Sequence, residues 1–153
     1  MKLPRLFVSG PSTRTPRKQA LYRHYLETVD HSICYFCDLS HDVSLKPIET
    51  LSYFYVAPAQ YPYDNWDGCT VREHLLLVPK QHAAHLSEVS AEARAEMADV
   101  IARYEVQGYS FYGRAPDDVT RSVIHQHTHF FKLERKRRSF LLYIRKPHVL
   151  ISK

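Results

Sequence analysis

The sequence predicts an α+β fold of antiparallel strands with one long and one short helix. Two segments carry apolar residues at helical spacing, over 17–29 and 91–107. Between and after them lie short apolar or aromatic runs closed by proline, glycine or polar residues, the pattern of strands joined in hairpins. At 153 residues, 44% hydrophobic and 24% charged, the chain has the size and composition of one globular domain with a sizeable core.

Taken in order, residues 1–15 are rich in proline, serine and threonine and read as a loose arm. Thr15-Pro16 suits an N-cap and a first-turn proline. A short helix over 17–29 follows, with Ala20, Leu21, Tyr25, Leu26 and Val29 as its apolar stripe. Residues 1–30 are therefore assigned as a basic arm and short helix, and 31–153 as the domain proper. Thr50 to Val56 reads as an aromatic strand, and 57–72, with Pro58, Pro62 and Gly68, as a long loop. Leu75-Leu76-Leu77-Val78 is a buried strand closed by Pro79. Ser90 caps the long helix, whose stripe is Ala93, Met97, Val100, Ile101 and Tyr104, and Gly108 ends it. Strands are expected at 109–113, 122–132 and 139–144, with a polar loop over 114–120.

No apolar run approaches the roughly 20 residues of a membrane span. The segment Met1 to Val8 has too short an apolar core for a secretory signal, so a cytoplasmic protein is expected. The three cysteines agree, being odd in number and including the pair Cys34-Tyr35-Phe36-Cys37. The net charge of +5 favours anionic partners such as nucleotides or nucleic acid.

The densest chemistry is His125-Gln126-His127-Thr128-His129, set between Val123-Ile124 and Phe130-Phe131. On a strand, this alternation places all three imidazoles on one face. Imidazole can move protons, bind metal or attack phosphorus near neutral pH. The central His127 is the natural nucleophile, His129 can serve the leaving group, and Ser122 can assist by hydrogen bonding. Cys34 and Cys37 form either a metal clip or two buried thiols packed with Tyr35 and Phe36. A tetrahedral zinc shell would need two imidazoles from His41, His82, His85 and His125. Tyr53, Phe54 and Tyr55 can stack a base or fill the core. The run Lys132, Arg135, Lys136, Arg137 and Arg138 is a solvated turn or a phosphate-binding patch.

Together these segments resemble the histidine-triad family of nucleotide hydrolases and transferases, across about residues 33–132. His125-Gln126-His127-Thr128-His129-Phe130 is similar to its His-x-His-x-His-apolar signature. Ile33 to Leu39 is similar to the opening of its zinc-containing members, and His74 to His82 followed by Leu86-Ser87-Glu88-Val89 to the segment leading into its long helix. The resemblance implies an antiparallel sheet, here of five to six strands, a homodimer, and attack of His127 on an α-phosphate through a covalent nucleotidyl-histidine intermediate. It implies zinc held by Cys34, Cys37, His82 and His125, and brings in His74 as a substrate-binding candidate beside Tyr53 and Tyr55.

The chain also departs from the family pattern. Arg121 precedes Ser122 where glutamine is common, Gly113 and Arg114 stand where an asparagine usually ends a strand, and the place where family members often carry a ribose-binding acid falls near Val56. Arg114 and Arg121 can grip phosphates as planar forks. An alternative reading is a catalytically weak zinc-containing module that binds nucleotides or nucleic acid.

Overall fold

The computed structural model describes residues 13–37, 46–137, 141–145 and 148–152. Their elements are α1 (Pro16–Thr28), β1 (Glu49–Thr50), β2 (Phe54–Pro58), β3 (Asn65–Trp66), β4 (Cys69–Pro79), α2 (Ala91–Val106), β5 (Tyr109–Gly113), β6 (Thr128–Arg137), β7 (Leu141–Arg145) and β8 (His148–Ser152). A six-stranded sheet runs in the order β1-β2-β4-β6-β5, with β3 paired to β4, and β7 and β8 make a separate hairpin. This is the expected α+β architecture. The described residues group into two compact units, one within 30–62 and 73–132, the other of 13–29, 63–72 and the described part of 133–152.

The first unit holds the main core. Alternation along the strands sends Phe54, Val56, Leu75, Leu77 and Phe130 to one side, where they meet Ala93, Val100 and Tyr104 of α2. The Tyr104 and Phe130 rings stack with centroids 4.9 Å apart. Residues of the opposite parity, Leu76 and Val78 with Tyr55, form a smaller cluster that includes Phe36. Ser90 caps α2 as expected, its Oγ accepting from the Ala93 amide at 3.1 Å, and Gly108 leaves the helix at φ 87°.

In the other unit α1 starts with its proline in the first turn. Asp64 accepts from the Thr15 amide at 2.8 Å and pairs with Lys18 at 2.5 Å. The Arg14 guanidinium lies over both Tyr22 and Tyr63. Of the expected stripe, Tyr25, Leu26 and Val29 are half-buried, while Ala20 and Leu21 are exposed and Gln19 and Tyr22 take their place on the half-buried face.

Three expectations are corrected. The strand over 50–56 is two strands, because Leu51, Ser52 and Tyr53 turn. The Leu51 amide donates to the Phe54 carbonyl, and the Glu96 carboxylate accepts from the Ser52 and Tyr53 amides at 3.0 and 2.7 Å. The loop over 57–72 contains a hairpin. Asp67 and Gly68 take φ of 48° and 74°, as a two-residue turn requires, and Trp66 pairs with Cys69. The strand expected over 122–132 begins only at Thr128, so His125 and His127 precede it. His41, and the side chains of Arg135, Lys136, Arg137 and Arg138, lie outside the described residues, as do residues 139–140 of the last expected strand.

Glu96 is the one α2 side chain that caps the β1–β2 turn through both carboxylate oxygens. Glu96→Ala is expected to lower stability by about 1–2 kcal/mol. Urea unfolding should show a lower midpoint with an unchanged slope.

Candidate active site and metal centre

His125 is fully buried and its ring is held from both ends. Its Nε2–H donates to the Pro79 carbonyl at 2.9 Å, at the point where the proline ends β4. That bond leaves Nδ1 as the basic nitrogen. Nδ1 faces Cys34 Sγ at 3.3 Å and Cys37 Sγ at 3.5 Å, and Cys37 Sγ lies 3.2 Å from His82 Nδ1. All four ligand atoms fall within 4.8 Å of one another.

A tetrahedral zinc with ordinary Zn–S and Zn–N bonds keeps its ligand atoms about 3.3–3.8 Å apart. The spacings here fit that shell, and two thiols with two imidazoles fit zinc's preference for sulfur and nitrogen. The carbonyl behind His125 is the outer partner that a metal-bound histidine needs. Of the four imidazoles open from sequence, the structure brings His82 and His125 to the thiols. His85 lies exposed beside Glu88 at 3.8 Å.

His127 is half-buried. Its Nδ1–H donates to the carbonyl of His125 at 2.9 Å, which leaves the lone pair on Nε2. Burial is the main cause holding its pKa down to about 4, and the charges of Arg121, His125 and Arg114 act in the same direction. The ring is therefore neutral at physiological pH. Phe36, from between the two cysteines, meets it edge-on with centroids 5.3 Å apart, and the His129 ring lies 4.9 Å away on its other side.

His129 is buried on β6, opposite Tyr112 of β5, whose ring stacks on it. Its Nδ1 is 2.9 Å from Nε2 of His74, which projects from β4 on the same sheet face as Leu76 and Val78. His74 is thus a buried partner of His129. Tyr55 lies in the cluster with Phe36, with the Lys80 ammonium 5.2 Å from its ring. Tyr53 is 42% exposed in the turn before β2. Ser122 lies exposed in the loop ahead of His125.

The two arginines differ. Arg114 is braced within its own loop by Thr120 and by Asp118 at 3.7 Å, and lies over the Tyr112 ring. Arg121 donates to the backbone carbonyls of Val123, Ala84 and Ile124. Phe36 and Tyr112 were missed from sequence. The position of Phe36 inside a four-residue metal clip was a signal for it, since any clip closed on His125 carries that ring to the neighbouring imidazole.

Among solved structures, the chain is similar to a HIT family hydrolase from Clostridium thermocellum (TM-score 0.50, 17% identity, covering 74% of this chain and 100% of that one). It is similar to a histidine triad protein from Clostridium difficile (TM-score 0.50, 15% identity, 74% and 100%). It is also similar to a hypothetical histidine triad nucleotide-binding protein from Sulfolobus tokodaii (TM-score 0.53, 16% identity, 67% and 70%). The chain has the histidine-triad fold. No family profile and no curated protein matches it. The histidine-triad fold accounts for the antiparallel sheet and the long helix on one face. No helix among the described residues is long and apolar enough to cross a membrane.

The candidate metal site carries its own test. Purified protein, cleared of adventitious ions, is expected to hold one zinc per chain by elemental analysis. Cys37→Ser should bind zinc about tenfold or more weakly in chelator competition. A folded wild-type protein that takes up no zinc would identify the clip as packing alone.

Proposed function

We propose that this chain is a zinc-stabilised enzyme of the histidine-triad family that cleaves a nucleotide phosphoanhydride, phosphoramidate or phosphoester through a nucleotidyl-His127 intermediate. The observation that carries the reading is the His127 ring. Its Nδ1–H is fixed on the His125 carbonyl, so Nε2 presents its lone pair from a half-buried position.

The chemistry follows from that tautomer. Nε2 attacks the α-phosphorus, a P–N bond forms, and the bond from phosphorus to the leaving oxygen or nitrogen breaks with its electron pair on the leaving group. The ring becomes cationic as it bonds, and the His125 carbonyl stabilises the proton left on Nδ1. Water, or another acceptor, then attacks phosphorus, the P–N bond breaks, and His127 returns neutral. Splitting the displacement in two replaces one difficult step with two easier ones. The cationic field of Arg114 and Arg121, which disfavours an imidazolium, favours the anionic phosphoryl group. His129, held by His74, fixes the neighbouring wall and is the proposed donor to the leaving group.

Zinc on Cys34, Cys37, His82 and His125 would tie the clip to the triad loop as a closed structural site. Tyr55 and Phe36 offer apolar rings for a base. Strand β5 ends the sheet order and carries Phe111, which is 52% exposed, in keeping with the homodimer that the resemblance implies.

A panel of adenylated amines, dinucleoside polyphosphates, nucleotide sugars and adenylated DNA ends tests the proposal, with mass detection of trapped adduct. One class should turn over with an adduct on His127. His127→Ala and His127→Asn should lose about a thousandfold or more in turnover while keeping fold and zinc. Undiminished turnover in those variants would refute the assignment. Salt-sensitive oligonucleotide binding without turnover of any member would favour the binding-module alternative.

A further inference from the structure

We infer that Arg121 is a positioning residue, a clamp that locks the loop carrying His125 and His127 onto the segment that carries His82. The inference rests on the proposed function only in naming His127 as the group positioned.

The guanidinium makes contacts on two separate stretches of chain. Nε donates to the Val123 carbonyl at 3.0 Å, and Nη2 donates to the Ile124 carbonyl and lies 3.4 Å from Gln126 Oε1. These contacts fold the arginine back over its own loop. The same Nη2 donates to the Ala84 carbonyl at 2.9 Å, 37 positions away. Beside that bond the Gln126 amide donates to the Ala83 carbonyl at 2.7 Å. The receiving segment is itself fixed, because Glu88 Oε2 accepts from the Ala84 amide at 2.7 Å and Ala83 is buried. His82 stands immediately before these acceptors, and His125 and His127 flank Gln126. Both ends of the clamp therefore lie one or two residues from a metal ligand or from the nucleophile.

Residues 121–127 lie outside the sheet, so no strand ladder orders them. Something else must satisfy the carbonyls of Val123 and Ile124 and hold the loop still. A planar fork can reach several carbonyls at once, which a lysine's point charge at the end of a flexible stem cannot do. This separates the clamp from a phosphate-binding role, for which a lysine would retain most of the charge interaction.

The test uses full-length zinc-loaded protein with Arg121→Lys and Arg121→Ala, and an adenosine 5′-phosphoramidate of a fluorescent amine as substrate. A clamp predicts that both variants lose kcat about 10- to 100-fold. It predicts that KM stays within about twofold and that chelators strip zinc about tenfold faster. If Arg121→Ala does not fold, Arg121→Lys decides by the same readouts. Normal kcat and normal zinc retention in Arg121→Lys would overturn the inference, as would a rise in KM alone in both variants. His127→Ala serves as the control. Full turnover in that control would sink the proposed function, while the zinc-stripping rate would still judge the clamp.

Discussion

The site depends on His125 and the three separate bonds that its ring and backbone offer. One ring nitrogen takes the Pro79 carbonyl, the other faces the thiols, and the residue's own carbonyl fixes the Nδ1 proton of His127. A buried imidazole without partners would cost on the order of 1–3 kcal/mol for each unmet polar atom. Here every polar atom of the ring has a use, and the cost becomes specification. The tautomer of His125 is dictated by a proline, which ends β4 and turns its carbonyl out of the ladder. The tautomer of His127 is dictated in turn by the backbone of His125. The candidate metal site and the proposed nucleophile are successive consequences of one residue's placement.

The sheet divides the remaining work. On the face against α2, Phe54, Val56, Leu75, Leu77 and Phe130 supply apolar burial of about 1.5–3 kcal/mol for each large side chain. On the other face β4 places His74 in line with Leu76 and Val78, and β6 places His129 in line with Phe131. Strand alternation alone decides which residues go where, so a single register sets both the core and the row of rings. The His74–His129 pair joins β4 to β6 across this second face, a polar contact of 2.9 Å within a largely apolar layer. Phe131 lies against both rings, which limits their freedom to reorient.

Much of this was legible in the sequence, and the rest has identifiable physical reasons for being hidden. The capped helix α2 was clear because Ser90, an apolar stripe and Gly108 agree with one another. Motif spacing gave the Cys34–Cys37 clip but left His41, His82, His85 and His125 equally open, and it was the family resemblance that pointed to His82 and His125. The hairpin at Asp67-Gly68 was available as a two-residue turn signal, but the prolines at 58 and 62 drew the whole stretch into a loop. The turn at 51–53 could not be read locally at all, since the carboxylate that caps it comes from Glu96, on α2. The role of Arg121 was equally hidden. Arginine before a triad suggests phosphate, and only the fold reveals the carbonyl of Ala84 within its reach.

The largest departure from expectation, that His125 and His127 lie ahead of β6 rather than within it, is also what the proposed chemistry needs. Inside an antiparallel ladder the carbonyl of each residue is either committed to a neighbouring strand or points away from the side chains of its own face. It could not then accept from a ring two residues on. By entering the sheet only at Thr128, the chain keeps the His125 carbonyl for His127, and the Gln126 amide for Ala83. The alternating pattern still sets the rings side by side, with His127 and His129 at 4.9 Å. The price of leaving the ladder is a loop whose backbone must be satisfied in other ways. Arg121 and the Ala83 carbonyl meet that demand, which makes an arginine next to a row of histidines intelligible as backbone support.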